Sequence, residues 1–292
     1  MTQFLQQFVN GLSIGSVYAL IALGYTMVYG IIRLINFAHG DIFMFGSYVG
    51  MLLISQVGLP IYAAFPLAMA ITALFGVIIE RIAYKPLRKS TRVAALITAI
   101  GVSFLIQNLT LVIMGANIYA FPQVIPSVQF IFGGVRFDLL KVVIFFTSIA
   151  LMVLLTFIVQ KTKIGRAMRC VAVDKDAATL MGVNVDNTIT MTFAIGSALA
   201  AAAGIMVGLL YIKVSPFMGF TPGIKAFVAA VLGGIGIIPG AMFGGFAIGL
   251  IETFVAGYGS SLYKDAVVYA ILIIVLIFKP SGLLGKNVKE KV

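Results

Sequence analysis

The chain has 292 residues, 61% of them hydrophobic and only 10% charged, and carries a net charge of +11. Soluble domains hold about 25% charged residues, so this composition excludes a soluble globular protein and describes an all-α polytopic membrane protein. The basic excess lies in the joints between apolar runs, which fits a lipid bilayer and gives no reason to expect a nucleic-acid partner.

The first apolar run covers residues 8–29 and carries Gly11, Gly15 and Gly24 for close helix contact. No basic segment precedes it and no small-residue cleavage site ends it, so a removable leader is not expected. The stretch IIRLINFAHGDI follows, with Arg33, Asn36, His39, Gly40 and Asp41 in quick succession. A short run at 43–56 contains Gly46 and Gly50, and Gly58 and Pro60 turn the chain into a third run at 61–83. Arg81, Lys85, Arg88, Lys89 and Arg92 form a basic joint before the fourth run, 93–114, which includes Gln107 and Asn108. Residues 115–138, with Pro122, Pro126 and Gly133-Gly134, read as an external loop, and the fifth run is 139–159.

Residues 161–187 are polar and charged although apolar runs flank them. Lys161, Lys163, Arg166 and Arg169 head this segment, and Asp176–Met181 reads as a short helix stopped by Gly182. Ala178, Leu180 and Met181 beside charged neighbours describe a surface helix with something to dock against. The sixth run, 188–212, carries Gly196, Ala200, Gly204 and Gly208 on one stripe. Pro216, Pro222 and Gly223 break the chain before a short run at 226–238. Runs at 241–258, containing Glu252, and 262–278 come next, then a lysine-bearing tail at 280–292.

About nine crossings with the N-terminus outside put fifteen lysines and arginines on one side and five on the other. That bias makes the 161–187 loop and the C-terminus cytoplasmic. The chain then reads as one transmembrane domain: a first half at 8–114, a linking span at 139–160, the 161–187 loop and a second half at 188–279. Gly40-Asp41, a short glycine-rich run and Glu80 resemble Gly223, a second short run and Glu252, in opposite orientations. Such inverted halves with short glycine-interrupted helices are a sequence pointer to a transport pathway.

No P-loop occurs, and the single histidine and single cysteine exclude a histidine-built metal centre or a disulfide framework. No metal site, cofactor or covalent chemistry is expected in this chain. Asn36, His39, Gly40 and Asp41 are the polar cluster best suited to meet a solute; the alternative is a solvated turn capping the next helix. Gln107 and Asn108 either line the same path or join helices. Glu252 either pairs with a lysine near the membrane boundary or takes part in proton coupling.

Asp176-Ala177-Ala178, three residues and Gly182 resemble a degenerate EAA loop, the motif by which importer permeases dock onto their ATPases. Asp176 stands where that motif has Glu, the later Leu-Pro is absent, and Thr192 stands where Ile would fall. The segments at 11–48, 79–88, 165–184 and 226–252 closely resemble the LivH-type permease family of bacterial high-affinity branched-chain amino acid importers. The resemblance implies an inner-membrane subunit carrying Leu, Ile, Val or closely related solutes, with Arg166, Asp176, Ala177, Ala178 and Gly182 at the ATPase contact. It also implies two ATP-binding cassette subunits that hold ATP and Mg, a homologous LivM-like permease and a periplasmic binding protein. An ion-coupled secondary transporter or channel is the alternative, and a membrane enzyme using His39 and Asp41 a remote third.

Overall fold

The computed structural model describes residues 2–32, 34–88 and 90–285. Arg33, Lys89 and the tail from residue 286 onward, singled out in the sequence, lie outside the described residues, as does the side chain of Arg92. The apolar runs become α1 (Thr2–Ile32), α2 (His39–Ser55), α3 (Ile61–Ile79), α4 (Arg92–Met114) and α5 (Leu139–Lys161). After the polar segment come α8 (Val185–Tyr211), α9 (Phe220–Gly233), α10 (Ile238–Tyr258) and α11 (Lys264–Phe278). A π-helical turn, Glu80–Tyr84, continues α3. Among the described residues, six helices are long and apolar enough to cross a membrane: α1, α3 with its π-helical turn, α4, α5, α8 and α10. The helices α2, α9 and α11 have 17, 14 and 15 residues, less than the ~20 that a bilayer core takes.

The centre of the bundle is α1 and α8, both mostly buried, whereas α3, α4 and α5 leave apolar faces outward. The helix α1 runs antiparallel along α10, with its Gly15 so close that a Cβ there would lie 2.9 Å from the Phe246 Cα. Small residues are what allow backbones to approach like this where no hydrophobic effect drives helices together. Several of the helix contacts fall in matching pairs: α8 lies along α3 as α1 does along α10, α2 lies on α8 and α9 on α1, and α4 flanks α2 as α11 flanks α9.

The polar segment forms two helices where one was expected, α6 (Lys163–Val173) and α7 (Lys175–Leu180). Their boundaries follow from capping side chains that take orphan backbone N–H groups. Thr162 Oγ1 accepts from Gly165 N at 3.1 Å, Asp174 Oδ1 from Asp176 N and Ala177 N at 2.8 and 2.9 Å, and Asn184 Oδ1 from Asn187 N at 2.9 Å. Gly182 closes α7 with φ +81°, a value that disfavours side chains.

Within the expected external loop the chain forms a hairpin, β1 (Gln129–Phe132) antiparallel to β2 (Val135–Asp138). Gly133 and Gly134, both at positive φ, make its turn. Gln6 fixes it over the start of α1, donating from Nε2 to Arg136 O at 3.0 Å and accepting from Arg136 N at 2.8 Å. The bundle therefore has a hairpin end and an α6–α7 end.

Candidate functional site

Two short helices meet inside the bundle at their N-termini. Gly40, in the first turn of α2, packs on Gly219 and Gly223 at the start of α9; a Cβ on Gly40 would lie 2.5 Å from the Gly219 carbonyl oxygen. The segment leading into α2 folds inward and takes its polar residues with it. Asn36, His39 and Asp41 are all buried, so the reading of this stretch as a solvated turn does not hold. Asn36 keeps one side-chain hydrogen bond there and His39 an aromatic neighbour, while Asn36 Nδ2 and His39 Nε2 have no hydrogen-bond partner among the described residues. Asn36 Oδ1 accepts from Tyr84 OH at 2.6 Å, and the His39 ring stands edge-on to Tyr25 with centroids 4.7 Å apart.

Asp41 is held from α4. Ser103 Oγ donates to its Oδ2 at 2.5 Å and Gln107 Nε2 to its Oδ1 at 2.9 Å. Beside these groups is a cavity of about 400 Å³ between α2, α4, α9 and α11, with Gly40, Asp41 and Gln107 on its wall. The structure thus brings Gly40, Asp41 and Gln107 to one cavity, with Asn36 and His39 buried behind it. Asn108 is not part of the group: it is on an exposed face of α4 and donates to the Phe104 carbonyl of its own helix at 2.7 Å.

Two further buried carboxylates sit near opposite ends of the bundle. Toward the hairpin end, Glu252 Oε1 receives Lys225 Nζ at 2.8 Å and Lys264 Nζ at 3.3 Å, while Oε2 accepts from Tyr18 OH at 2.7 Å. Lys225 also reaches Asp265 Oδ1 at 2.6 Å. The lysine pairing expected for Glu252 is therefore present. Lys225, one of the five cations on the less basic side, is inside α9 with its side chain 3% exposed. This network borders a second cavity of about 310 Å³, lined also by Tyr211, Lys213 and Phe217. Toward the α6–α7 end, Glu80 is buried, paired with Arg88 and accepting from Thr190 Oγ1 at 2.8 Å. Arg88 continues to Asp186 at 2.5 Å, joining the π-helical turn to the first turn of α8. Composition alone could not find these partners, because Thr190 and Lys225 are 110 and 27 residues from their glutamates.

On the α6–α7 surface Gly165, Met168, Val171 and Ala178 face inward, while Arg166, Asp176, Ala177 and Gly182 are exposed. Gly165 packs on the carbonyl oxygens that end α5. Leu180 and Met181, 88% and 83% exposed, project from the tip with Val173. An apolar tip on a charged segment is a surface that gains from being covered.

Long apolar helices, a few ionisable groups buried beside cavities within the bundle, and an amphipathic two-helix segment at one end define the class: a multi-pass α-helical membrane protein. Residues 7–276 match the family described as branched-chain amino acid transport system / permease component, and the chain belongs to that family. It is 45% identical to the high-affinity branched-chain amino acid transport system permease protein BraD of Pseudomonas aeruginosa, over 99% of this chain and 98% of that one. It is 44% identical to the corresponding permease protein LivH of Escherichia coli, over the same shares.

Proposed function

We infer that this chain is the membrane permease subunit of an ABC importer for leucine, isoleucine and valine or closely related small solutes. The observation that carries this reading is the 45% identity to a branched-chain amino acid permease over 99% of the chain. ATP and Mg belong to two separate cassette subunits, and this chain contributes the path. The exposed tip of Val173, Leu180 and Met181, set on capped helices, supports a docking role for the α6–α7 segment.

In this reading the permease has nine crossings in two inverted halves, a periplasmic N-terminus and a cytoplasmic α6–α7 segment, in the bacterial inner membrane. The matching contacts of α1 with α10 and α8 with α3 support the inversion. A homologous LivM-like permease and a periplasmic binding protein complete the assembly, the latter supplying most of the selectivity. Cassette closure pushes on the segment around Asp176–Gly182 and, through α5 and α8, alternates access between the two sides.

The test is a detergent pull-down of tagged protein followed by reconstitution in proteoliposomes. Nucleotide-binding subunits and a second permease should co-purify, and leucine uptake should require binding protein and ATP. A chain that purifies alone and takes up solute under an ion gradient would replace this reading with a secondary transporter.

A further inference from the structure

Three buried carboxylates were described above, and they are not equivalent. Glu80 has Arg88, and Glu252 has Lys225 and Lys264. Asp41, 2% exposed, has no cationic partner among the described residues; its two contacts, Ser103 and Gln107, are neutral donors. An ionised carboxylate buried without a counter-charge is expensive, and such groups are normally paired. Its place in the first turn of α2 offers a modest offset from the helix dipole. The two donors use only part of its capacity, since a carboxylate has about four acceptor sites.

The cavity beside Asp41 has the complementary character. Its wall away from the carboxylate is Phe37, Ile100, Phe104, Phe220, Phe227 and Leu272, so it is polar at one end and apolar elsewhere. At about 400 Å³ it falls within the size range of small-molecule sites. A ligand that satisfies both ends carries a positive group and a compact apolar side chain.

We propose that this cavity is a binding site for an amino acid with an aliphatic side chain. The α-ammonium donates to Asp41 and supplies the missing cation, the α-carboxylate lies toward the uncapped N-terminus of α9 at Gly219 and Phe220, and the side chain lies along the aromatic wall. Ser103 and Gln107 orient the carboxylate from α4 and leave its remaining lone pairs toward the cavity. The proposal rests on the permease reading and says where in the chain the solute is held.

The test reads ligand occupancy directly. In purified protein carrying Cys170→Ser, the introduced cysteine of Ile100→Cys reports on the cavity through its rate of maleimide labelling. Saturating leucine should slow labelling several-fold, and isocaproate, which is leucine without its ammonium, should not. Adding Asp41→Asn should weaken leucine protection at least about tenfold, the factor that goes with one lost hydrogen bond to a charged group. Asn keeps the size and one acceptor for Ser103 or Gln107, so a carboxylate that only joins α2 to α4, or that is simply protonated, predicts little change.

Equal protection by leucine and isocaproate, no protection, or protection that survives Asp41→Asn each overturns the proposal. If Asp41→Asn does not fold, the comparison of leucine with isocaproate decides by itself. ATP-driven leucine uptake by the wild-type assembly, measured in parallel, keeps the two readings apart. Uptake without protection removes the site and leaves the permease, and protection without uptake removes the importer and leaves the site.

Discussion

The Lys225–Glu252 pair gives the most direct check on how this bundle tolerates charge. Both side chains are nearly inaccessible, and removing one member of a buried ion pair typically costs ~3–5 kcal/mol because the other is left uncompensated. Here the residual charge has a second partner. Lys225→Met leaves Glu252 with Lys264 at 3.3 Å, and Glu252→Gln leaves Lys225 with Asp265 at 2.6 Å. Each single change should therefore fall at the low end, about 3 kcal/mol. The double variant removes both charges, and the Gln keeps an acceptor for Tyr18 OH, so it should be no less stable than the worse single variant. In detergent melts followed by light scattering at one scan rate, about 2 °C per kcal/mol puts each single near 6 °C below wild type. A double variant that falls by the sum of the two singles would show that the residues are not coupled and refute the reasoning.

Three other outcomes follow from the same geometry. Gly182→Pro removes an N–H that donates to Thr179 O at 2.9 Å and forces φ away from +81°, and Arg166→Glu reverses a charge on the exposed face of α6. Both should leave the protein inserted and ATP hydrolysis intact while uptake falls at least about tenfold, the loss of order 1.4 kcal/mol in coupling; normal uptake in both would remove the α6–α7 segment from the coupling role. Gly40→Ala should lower the melting midpoint by the ~1–3 kcal/mol of an overpacked contact, because its Cβ would meet the Gly219 carbonyl. Gly101→Ala, in α4 with nothing within 4 Å of the new Cβ, should not lower it. Exposed Cys170 should react with an impermeant maleimide in inside-out vesicles and not in intact cells; the reverse pattern would invert the assigned orientation.

Much of the fold was legible because hydropathy and length act locally. Each apolar run became a helix, and Thr162, Asp174, Asn184 and Gly182 mark helix ends with residues whose side chains or backbone freedom suit those ends. The hairpin left a readable trace that proline and glycine content obscured: Phe130-Ile131-Phe132 and Val135-Arg136-Phe137, rich in aromatic and β-branched residues, flank the two-residue turn Gly133-Gly134. Depth was not legible. Residues 36–41 look like a turn because they are polar, and only the fold shows the chain dipping inward to bring Gly40 against Gly219 and Gly223. The burial of Lys225 was hidden for the same reason, since a lysine three residues after Pro222 shows no sign of depth until Glu252 is seen across from it. Of the residues singled out for a path, Asp41 and Gln107 hydrogen-bond to each other, and Asn108, one position further along α4, faces away. One residue turns a helix by about 100°, which separates neighbours in sequence onto different faces.

The placement of charge follows from how far each carboxylate is from water. Glu252 and Glu80 are buried themselves, but their networks lead outward: Lys264 is 36% exposed, Asp265 43% and Asp186 56%. A network that grades from dry to wet lowers the desolvation penalty, since its outer members keep part of their hydration while still meeting the inner ones. Such pairs belong near the two ends of the bundle, where the observed ones are. Among the described residues Asp41 has no such outward route through charged side chains; its hydrogen-bond partners are neutral, and the adjoining space is an aromatic-walled cavity. Ser103 and Gln107 stabilise a carboxylate there only in part. A residue serving purely to join α2 to α4 could be an amide, which keeps one acceptor for these donors and carries no charge to desolvate. The acid is the costlier choice for packing, and it becomes the favourable one when a cation enters the cavity beside it.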